Sequence, residues 1–337
     1  MYKLTAQQLH EDAIVIDDTC PLLTEDDTHL GLYQAGGCTA VAPTIRANMG
    51  TSADAILQFA YWLRRERDRD DMVIARRTSD IQDAKKQKKI AVILHFQGTE
   101  VLDRSVDILD AYHEMGLRVV QLTYNKRCHV GDGIEEPADA GLSRYGKLVV
   151  RRLNNLGIVV DCSHTGVRTA MDAIEHSSAP VILSHANARA IRDIPRNVPD
   201  SLYKAIAASG GVIGIVGFPN FVSKTPHPPL NDFINHIEHV AALVGIDHVG
   251  LGIDYYLGQH PFSGDMQAKK AFDARVAAGV WSAESYPAPP YYYPQGIETP
   301  DKLVNLTEGL MERGFSEVDI RKILGLNWMG VYRRIWG

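Results

Sequence analysis

A chain of 337 residues with 45% hydrophobic content can bury one large core or two ordinary ones. Its net charge of −6 gives no basic footprint, which argues against a nucleic-acid partner. No stretch approaches the length of a membrane span, and the four cysteines, Cys20, Cys38, Cys128 and Cys162, lack CxxC spacing and suit reduced thiols in the cytoplasm.

From the amino end, Met1–Asp12 is polar and lacks the apolar core of a signal peptide. Ala13–Asp17 predicts a first strand and Thr39–Pro43 a second. Asp54–Arg67 carries an apolar stripe of Ile56, Leu57, Ala60 and Leu63, which predicts a helix. The mixed-sign run Arg64–Asp71 reads as its solvated end. Lys85, Lys86, Lys88 and Lys89 read as an exposed face before a third strand, Ile90–His95. A helix over Val106–Met115 stops at Gly116, and Val119–Thr123 is a fourth strand. Helix Leu148–Leu156 leads through Gly157 into a fifth strand, and helix Val167–His176 into a sixth at Val181–Ser184. Helix Pro199–Ala208, strand Val212–Val216, helix Phe233–Val244 and strand Val249–Ile253 follow. Leu303–Arg313 and Val318–Arg334 are terminal helices. Eight strands alternating with helices predict an α/β fold, a single (β/α)8 TIM barrel occupying 1–337 as one domain. An open doubly wound sheet is the alternative, but no glycine-rich phosphate turn follows the first strand. Tyr255–Pro300 breaks the rhythm and is rich in Tyr, Pro and Gly. It reads either as a lid or pocket wall, or as the contact of a homodimer.

Two apolar runs end on histidine: Gly157-Ile158-Val159-Val160-Asp161-Cys162-Ser163-His164 and Pro180-Val181-Ile182-Leu183-Ser184-His185. β-Branched residues fill both without alternation, as in buried parallel strands. Carboxyl ends of such strands converge on one mouth, where two imidazoles point either to a metal or to two hydrogen-bonded structural histidines, and their recurrence after Ser in consecutive units favours the metal. The strand ends in order are Asp17, Gln97, Tyr124, His164, His185 and Asp254. A carboxylate at Asp254 either takes a proton from water and returns it to a leaving group, or serves as a structural salt bridge or helix cap. Arg196, in the loop after the sixth strand, either holds a substrate carboxylate or pairs with Asp193 or Asp200 at the surface.

These features resemble the renal (membrane) dipeptidase family, the M19-type metallopeptidases of the amidohydrolase superfamily. The likeness rests on Gly141-Leu142-Ser143-Arg144-Tyr145-Gly146, the two strand-end histidines, Arg196-Asn197-Val198-Pro199-Asp200, and Ile320-Arg321-Lys322-Ile323-Leu324-Gly325-Leu326-Asn327-Trp328. It implies a (β/α)8 barrel with two zinc ions at the mouth and hydrolysis of dipeptides. It also implies that His164 and His185 are ligands of the second metal, that Arg196 holds the substrate carboxylate and that Asp254 handles the proton. The departures matter as much. The family's Asp-Gly-His-x-Asp after the first strand is here Asp17-Asp18-Thr19-Cys20-Pro21, its metal-bridging glutamate is Gln97, and its carbonyl-polarising histidine is Tyr124. Thr and Pro cannot replace an imidazole and a carboxylate around zinc.

The expectation is therefore a dipeptidase-like amidohydrolase acting on a small carboxylate-bearing amide or modified dipeptide. It carries one zinc at most, or none, held by His164, His185 and Gln97. Asp254 and Tyr124 are the catalytic residues, with Arg196 and Tyr255 at the substrate. Cys20, Asp17, Asp18, His95 and His129 are candidates to replace the lost ligands. A lyase or isomerase on the same barrel, or an inactive binding protein, stays open.

Overall fold

A computed structural model describes residues 3–46 and 50–337; Met1 and Tyr2 of the polar amino-terminal stretch lie outside them. The strands are β1 (Ile16–Cys20), β2 (Ala40–Arg46), β3 (Met72–Ile74), β4 (Ile90–Val92), β5 (Leu94–Gln97), β6 (Leu117–Gln121), β7 (Val159–Asp161), β8 (Val181–Ile182), β9 (Ile213–Ile215) and β10 (Val249–Leu251). All pair in parallel, in the order β8-β7-β6-β5-β2-β1-β10-β9. A bridge between Leu183 and Ile213 joins the two ends, with Leu183 N donating to Val212 O at 3.0 Å and Gly214 N to Leu183 O at 2.7 Å. The result is a (β/α)8 barrel in which β4 and β5 are successive parts of one stave.

The predicted strands are present, with boundaries shifted by a few residues. β3 is an addition: a three-residue run, too short to show a period, that pairs only with β4. Of the lysines before β4, Lys85 and Lys86 close a helix, Thr78–Gln87, and Lys88 caps it in a left-handed turn. Tyr255–Pro300 is not all loop, because it contains a helix at Asp265–Ala277. That helix buries only Ala268 and Phe272, so it carries no apolar stripe to read. Among the described residues no helix is long and apolar enough to cross a membrane.

The barrel interior is layered. At its amino end Ile16, Ala42, Ile93, Val119, Val159 and Ile182 pack against Trp328 and Tyr332 of the helix Asn327–Trp336. Gly250 makes room for the tryptophan: a Cβ there would lie 2.5 Å from Trp328 Nε1. The long terminal helix expected over Val318–Arg334 is interrupted by a π-helical turn, Lys322–Leu326. Within that turn a Cβ on Gly325 would fall 2.4 Å from Ile14 O, so the widened backbone sits directly against the chain entering β1. Above this apolar floor lies a polar layer containing Asp18, His95, Gln121, Asp161 and Ser184, all fully buried. Tyr332 reaches up from the floor and donates its hydroxyl proton to Asp18 Oδ1.

Candidate functional site

The site grows from the end of β7. Asp161 accepts from Ser163 N at 2.8 Å and Ser184 N at 3.0 Å on one oxygen, and from the Ser184 hydroxyl at 2.6 Å on the other. His95 Nε2 stands 3.4 Å from that second oxygen. Burial pushes the Asp161 carboxyl upward, but the adjacent imidazoles and the serine donor outweigh it and bring the pKa down to about 2. Asp161 is therefore an ionised anchor under the mouth.

The anchor fixes the histidines. Because the Ser184 hydroxyl donates to Asp161, it must accept from His185 Nδ1, which lies 2.8 Å away. Thr19 Oγ1 donates to Asp18 O and also lies 3.2 Å from His185 Nδ1. His185 thus carries its proton on Nδ1. His164 is set the same way: Asn125 spends its amide protons on Val280 O and Tyr286 Oη, both at 3.1 Å, so its Oδ1 accepts from His164 Nδ1 at 2.6 Å. This network assigns the Nδ1–H tautomer to both rings. Their Nε2 atoms then face each other across 2.8 Å with both lone pairs unprotonated. Burial, aided by the Arg196 charge, holds both imidazoles well below the usual histidine range. Two convergent, proton-free nitrogens, each braced from behind, suit a cation between them. Close approach of β9 and β10 depends on glycine: a Cβ on Gly214 or Gly252 would fall 1.9 Å from Ser184 O.

The remaining predicted residues fall around this pair. Tyr124 stacks on His164, centroids 4.0 Å apart and planes 18° apart, and its hydroxyl accepts from Trp281 Nε1 at 3.4 Å. Burial raises its pKa, so it stays a proton donor. Asp254 has φ of 65° and His164 φ of 58°, left-handed conformations that strain any residue but glycine and that aim both at the mouth. Burial pushes Asp254 up to about 8, Arg196 opposing and Asp17 assisting. Gln97, at the end of β5, has an Nε2 with no protein partner. Gln97, Tyr124 and Asp254 line a cavity of about 360 Å³.

Arg196 is not a surface residue. It is fully buried, and Asp200, one proposed partner, pairs with His239 at 2.8 Å instead. Its Nη2 donates to His185 O at 2.9 Å and its guanidinium lies 5.3 Å from the Phe221 centroid. Its Nε and Nη1 are buried without a partner. Tyr255, expected at the substrate, is displaced from it. Its side chain is buried, its hydroxyl donates to Ile297 O at 2.8 Å, and its ring stacks on Tyr293. The left-handed turn at Asp254 shifts the phase by one residue, so Tyr256 lines the cavity instead.

The candidate replacement ligands lie elsewhere. Asp17 accepts from Ile253 N, Asp18 from Tyr332, and Cys20 Sγ donates to Asp17 O. His129 accepts from Arg104 Nε at 2.9 Å, and His95 faces Asp161. Among the described residues no group of three or more His, Cys, Asp and Glu side chains gathers as a metal site. Sequence reading missed Asn125, Asp161 and Ser184, the residues that orient the imidazoles. Asp161 had a signal, being the one charge in an otherwise apolar strand run. The segment after Asp254 contributes Tyr256, Arg275, Trp281 and Tyr286 to the cavity lining.

The membrane dipeptidase model (peptidase family M19) matches residues 34–284. Dipeptidase tcpJ of Claviceps purpurea is 29% identical over 269 residues, 79% of this chain and 56% of its own length. The chain thus spans little more than half the length of that curated relative, and a dipeptidase of Aspergillus oryzae is covered to a similar extent, 51%. The solved amidohydrolase from Pseudomonas aeruginosa superposes with a TM-score of 0.87 at 30% identity, covering 99% of this chain and 100% of that one. A metallo peptidase from Rhodobacter sphaeroides, solved with a phosphinate mimic of the dipeptide L-Ala-D-Ala, shares the fold with a TM-score of 0.78 at 21% identity, over 96% of this chain and 100% of that one.

Proposed function

The chain belongs to the membrane dipeptidase family, peptidase family M19, and from that premise we propose that it hydrolyses a small amide bearing a carboxylate. One observation carries the reading. Arg196 is fully buried with two donors unpaired, an arrangement that costs about 1–3 kcal/mol per unsatisfied group unless an anion completes it. A substrate carboxylate supplies that anion, docked on Nε and Nη1. With the cavity wall in place the guanidinium is sealed, so the segment bearing Trp281 and Tyr286 acts as a lid. It opens by releasing Asn125 from Val280 O and Tyr286, and Ser282 from Glu135.

The His164–His185 pair fits one divalent cation, with the Gln97 oxygen as a further ligand. Thr19 and Pro21 offer nothing to a second. A zinc ion held there supplies Lewis acidity. The chain's own groups do the rest. Tyr124 donates a hydrogen bond to the amide oxygen as negative charge gathers on it. Asp254 takes a proton from the water that adds to the amide carbon. It passes a proton to the nitrogen as the C–N bond breaks, leaving a carboxylic acid and an amine. A carboxyl held near pH 8 suits a group that both accepts and returns a proton close to neutrality. The free thiols of Cys20, Cys38, Cys128 and Cys162 support a reducing, cytoplasmic setting.

The test is metal analysis of protein refolded with zinc, followed by a panel of L,L- and L,D-dipeptides and N-acyl amino acids. We expect about one zinc per chain, slow turnover of ordinary L,L-dipeptides and faster turnover of a modified amide. Arg196→Lys should weaken binding of that amide by about 1–3 kcal/mol, because the planar fork is lost. Two zinc ions per chain, or no cleavage of any carboxylate-bearing amide by the zinc-loaded protein, would overturn it.

A further inference from the structure

The cavity lined by Gln97, Tyr124 and Asp254 also carries two guanidiniums, Arg46 and Arg275. Arg275, on the helix Asp265–Ala277, is clamped between two rings, 5.0 Å from the Tyr256 centroid and 4.9 Å from the Trp281 centroid. It donates to Tyr256 Oη at 2.7 Å, and among the described residues the guanidinium's other hydrogen bond is a long one, 3.5 Å, to Ala271 O. Arg46, the last residue of β2, reaches Asp54 O at 3.5 Å and leaves its buried Nε without a partner. Both line the cavity, and neither forms an ion pair among the described residues. Glu25 and Asp254 are the carboxylates that share the lining, and neither pairs with either arginine.

An ordinary surface arginine is mobile and hydrated, and binding an anion costs it rotamer freedom. Arg275 has already lost that freedom to its two rings, so its unspent donors are presented in a fixed plane. Arg46 and Arg275 come from opposite sides of the chain, a barrel strand and the wall helix, yet front one cavity. Arg46 has the Asp54 carboxylate nearby, held down by hydrogen bonds from Thr51 and in part by the Arg46 charge, so Arg275 is the less compensated of the two and an anion in the cavity answers it most directly. Between these arginines and Tyr124 the wall is aromatic, with Trp281 and Tyr286 stacked at 4.4 Å.

We propose that the substrate is a dianion: one carboxylate on Arg196, the scissile amide at Tyr124 and Asp254, and a second anionic group, on the acyl side of that amide, held by Arg275 and Arg46. The class is an N-acyl amino acid or dipeptide whose acyl residue is acidic. A volume of about 360 Å³ leaves room for about a dozen water-sized groups, enough for the amide and its charged acyl arm, while the arm on Arg196 enters space that opens only when the wall moves. The assignment rests on the carboxylate docking at Arg196 proposed above.

Two keto acids separate the claims without being hydrolysed. 4-Oxoheptanoate replaces the amide N–H of N-butyrylglycine by CH2. 4-Oxoheptanedioate differs from it only in carrying a carboxylate where the first has its terminal methyl. Calorimetric titration of the zinc-loaded protein should give a dissociation constant about tenfold lower for the dianion. Arg275→Gln should weaken the dianion about tenfold more than the monoanion, and Arg46→Gln should do so to a smaller degree. Equal affinities for the two ligands, equal losses in Arg275→Gln, or no binding of either at millimolar concentration would overturn the second anion site. The underlying reading is tested separately by Arg196→Lys, which should weaken both ligands alike. If it weakens neither, the Arg196 docking fails, whatever Arg275 does.

Discussion

On the β7–β8 flank of the barrel mouth, Asp161 spends both oxygens on donors, Ser184 relays one of them to His185, and His164 is braced by Asn125. On the β1–β10 flank, Asp17 and Asp18 are equally buried, yet each keeps one oxygen without a partner. The same residue type is held at about 2 on the first flank and raised on the second, Asp17 to about 7. Burial acts in the same direction on all three. The difference lies in what surrounds them: imidazoles and serine donors beside Asp161, other carboxyls beside Asp18. The β7–β8 flank turns imidazole lone pairs outward from a satisfied network, and the β1–β10 flank does not.

The comparison breaks most sharply at the two buried aspartates. Asp161→Ala strands Ser163 N, Ser184 N and His95, and should cost about 3–5 kcal/mol in denaturant unfolding. Asp17→Asn keeps the acceptor for Ile253 N and should change stability at pH 6 by less than about 1 kcal/mol. Similar losses in both would erase the distinction between the flanks. A smaller effect sharpens it. Ser184→Ala removes the acceptor behind His185 and should weaken zinc about 10–100-fold in competition with a chelating dye. Thr19→Val, on the other flank, should shift zinc affinity by less than tenfold, since Ser184 still accepts from the ring.

The smallest effect is in pH. Asp17 and Asp254 have folded pKa values of about 7 and about 8, above their unfolded values near 4. The native state therefore holds protons that the unfolded chain releases, and stability of the metal-free protein should fall as pH rises toward 8. The slope is at most about 1.4 kcal/mol per pH unit for each group. Asp161 acts oppositely, its contribution being lost as pH falls from about 4 toward 2. Asp17→Asn should flatten the melting temperature between pH 5 and 7 while leaving the acid limb in place.

The barrel was legible because unbroken β-branched runs recur at regular spacing, and His164 and His185 were legible because each closes such a run. What escaped had physical reasons. β3 is three residues long, and the helix Asp265–Ala277 is flanked by Tyr, Pro and Gly and lacks a stripe. Arg196 sits in a loop whose composition reads as surface, and only its burial rules out the surface pair. Tyr255 and Tyr256 exchange roles through one positive φ at Asp254, a torsion that residue identity does not announce. Asn125 and Ser184 matter through what their hydrogen bonds leave unspent, which requires neighbours distant in sequence.

The floor of the barrel ties together segments made at very different times. Tyr332 bonds Asp18 across a separation of 314 residues, and Trp328 fills the space under β10. At about 5–20 residues per second, a ribosome adds the intervening chain in roughly 15–60 s. For that interval the inner faces of β1 and β2, with Ile16, Ala40 and Ala42, have no floor to rest on. Loop closure over so many residues carries its entropy cost before any contact repays it. The nascent chain must therefore keep its first strands from pairing with a neighbour's while the segment that completes them is still being translated.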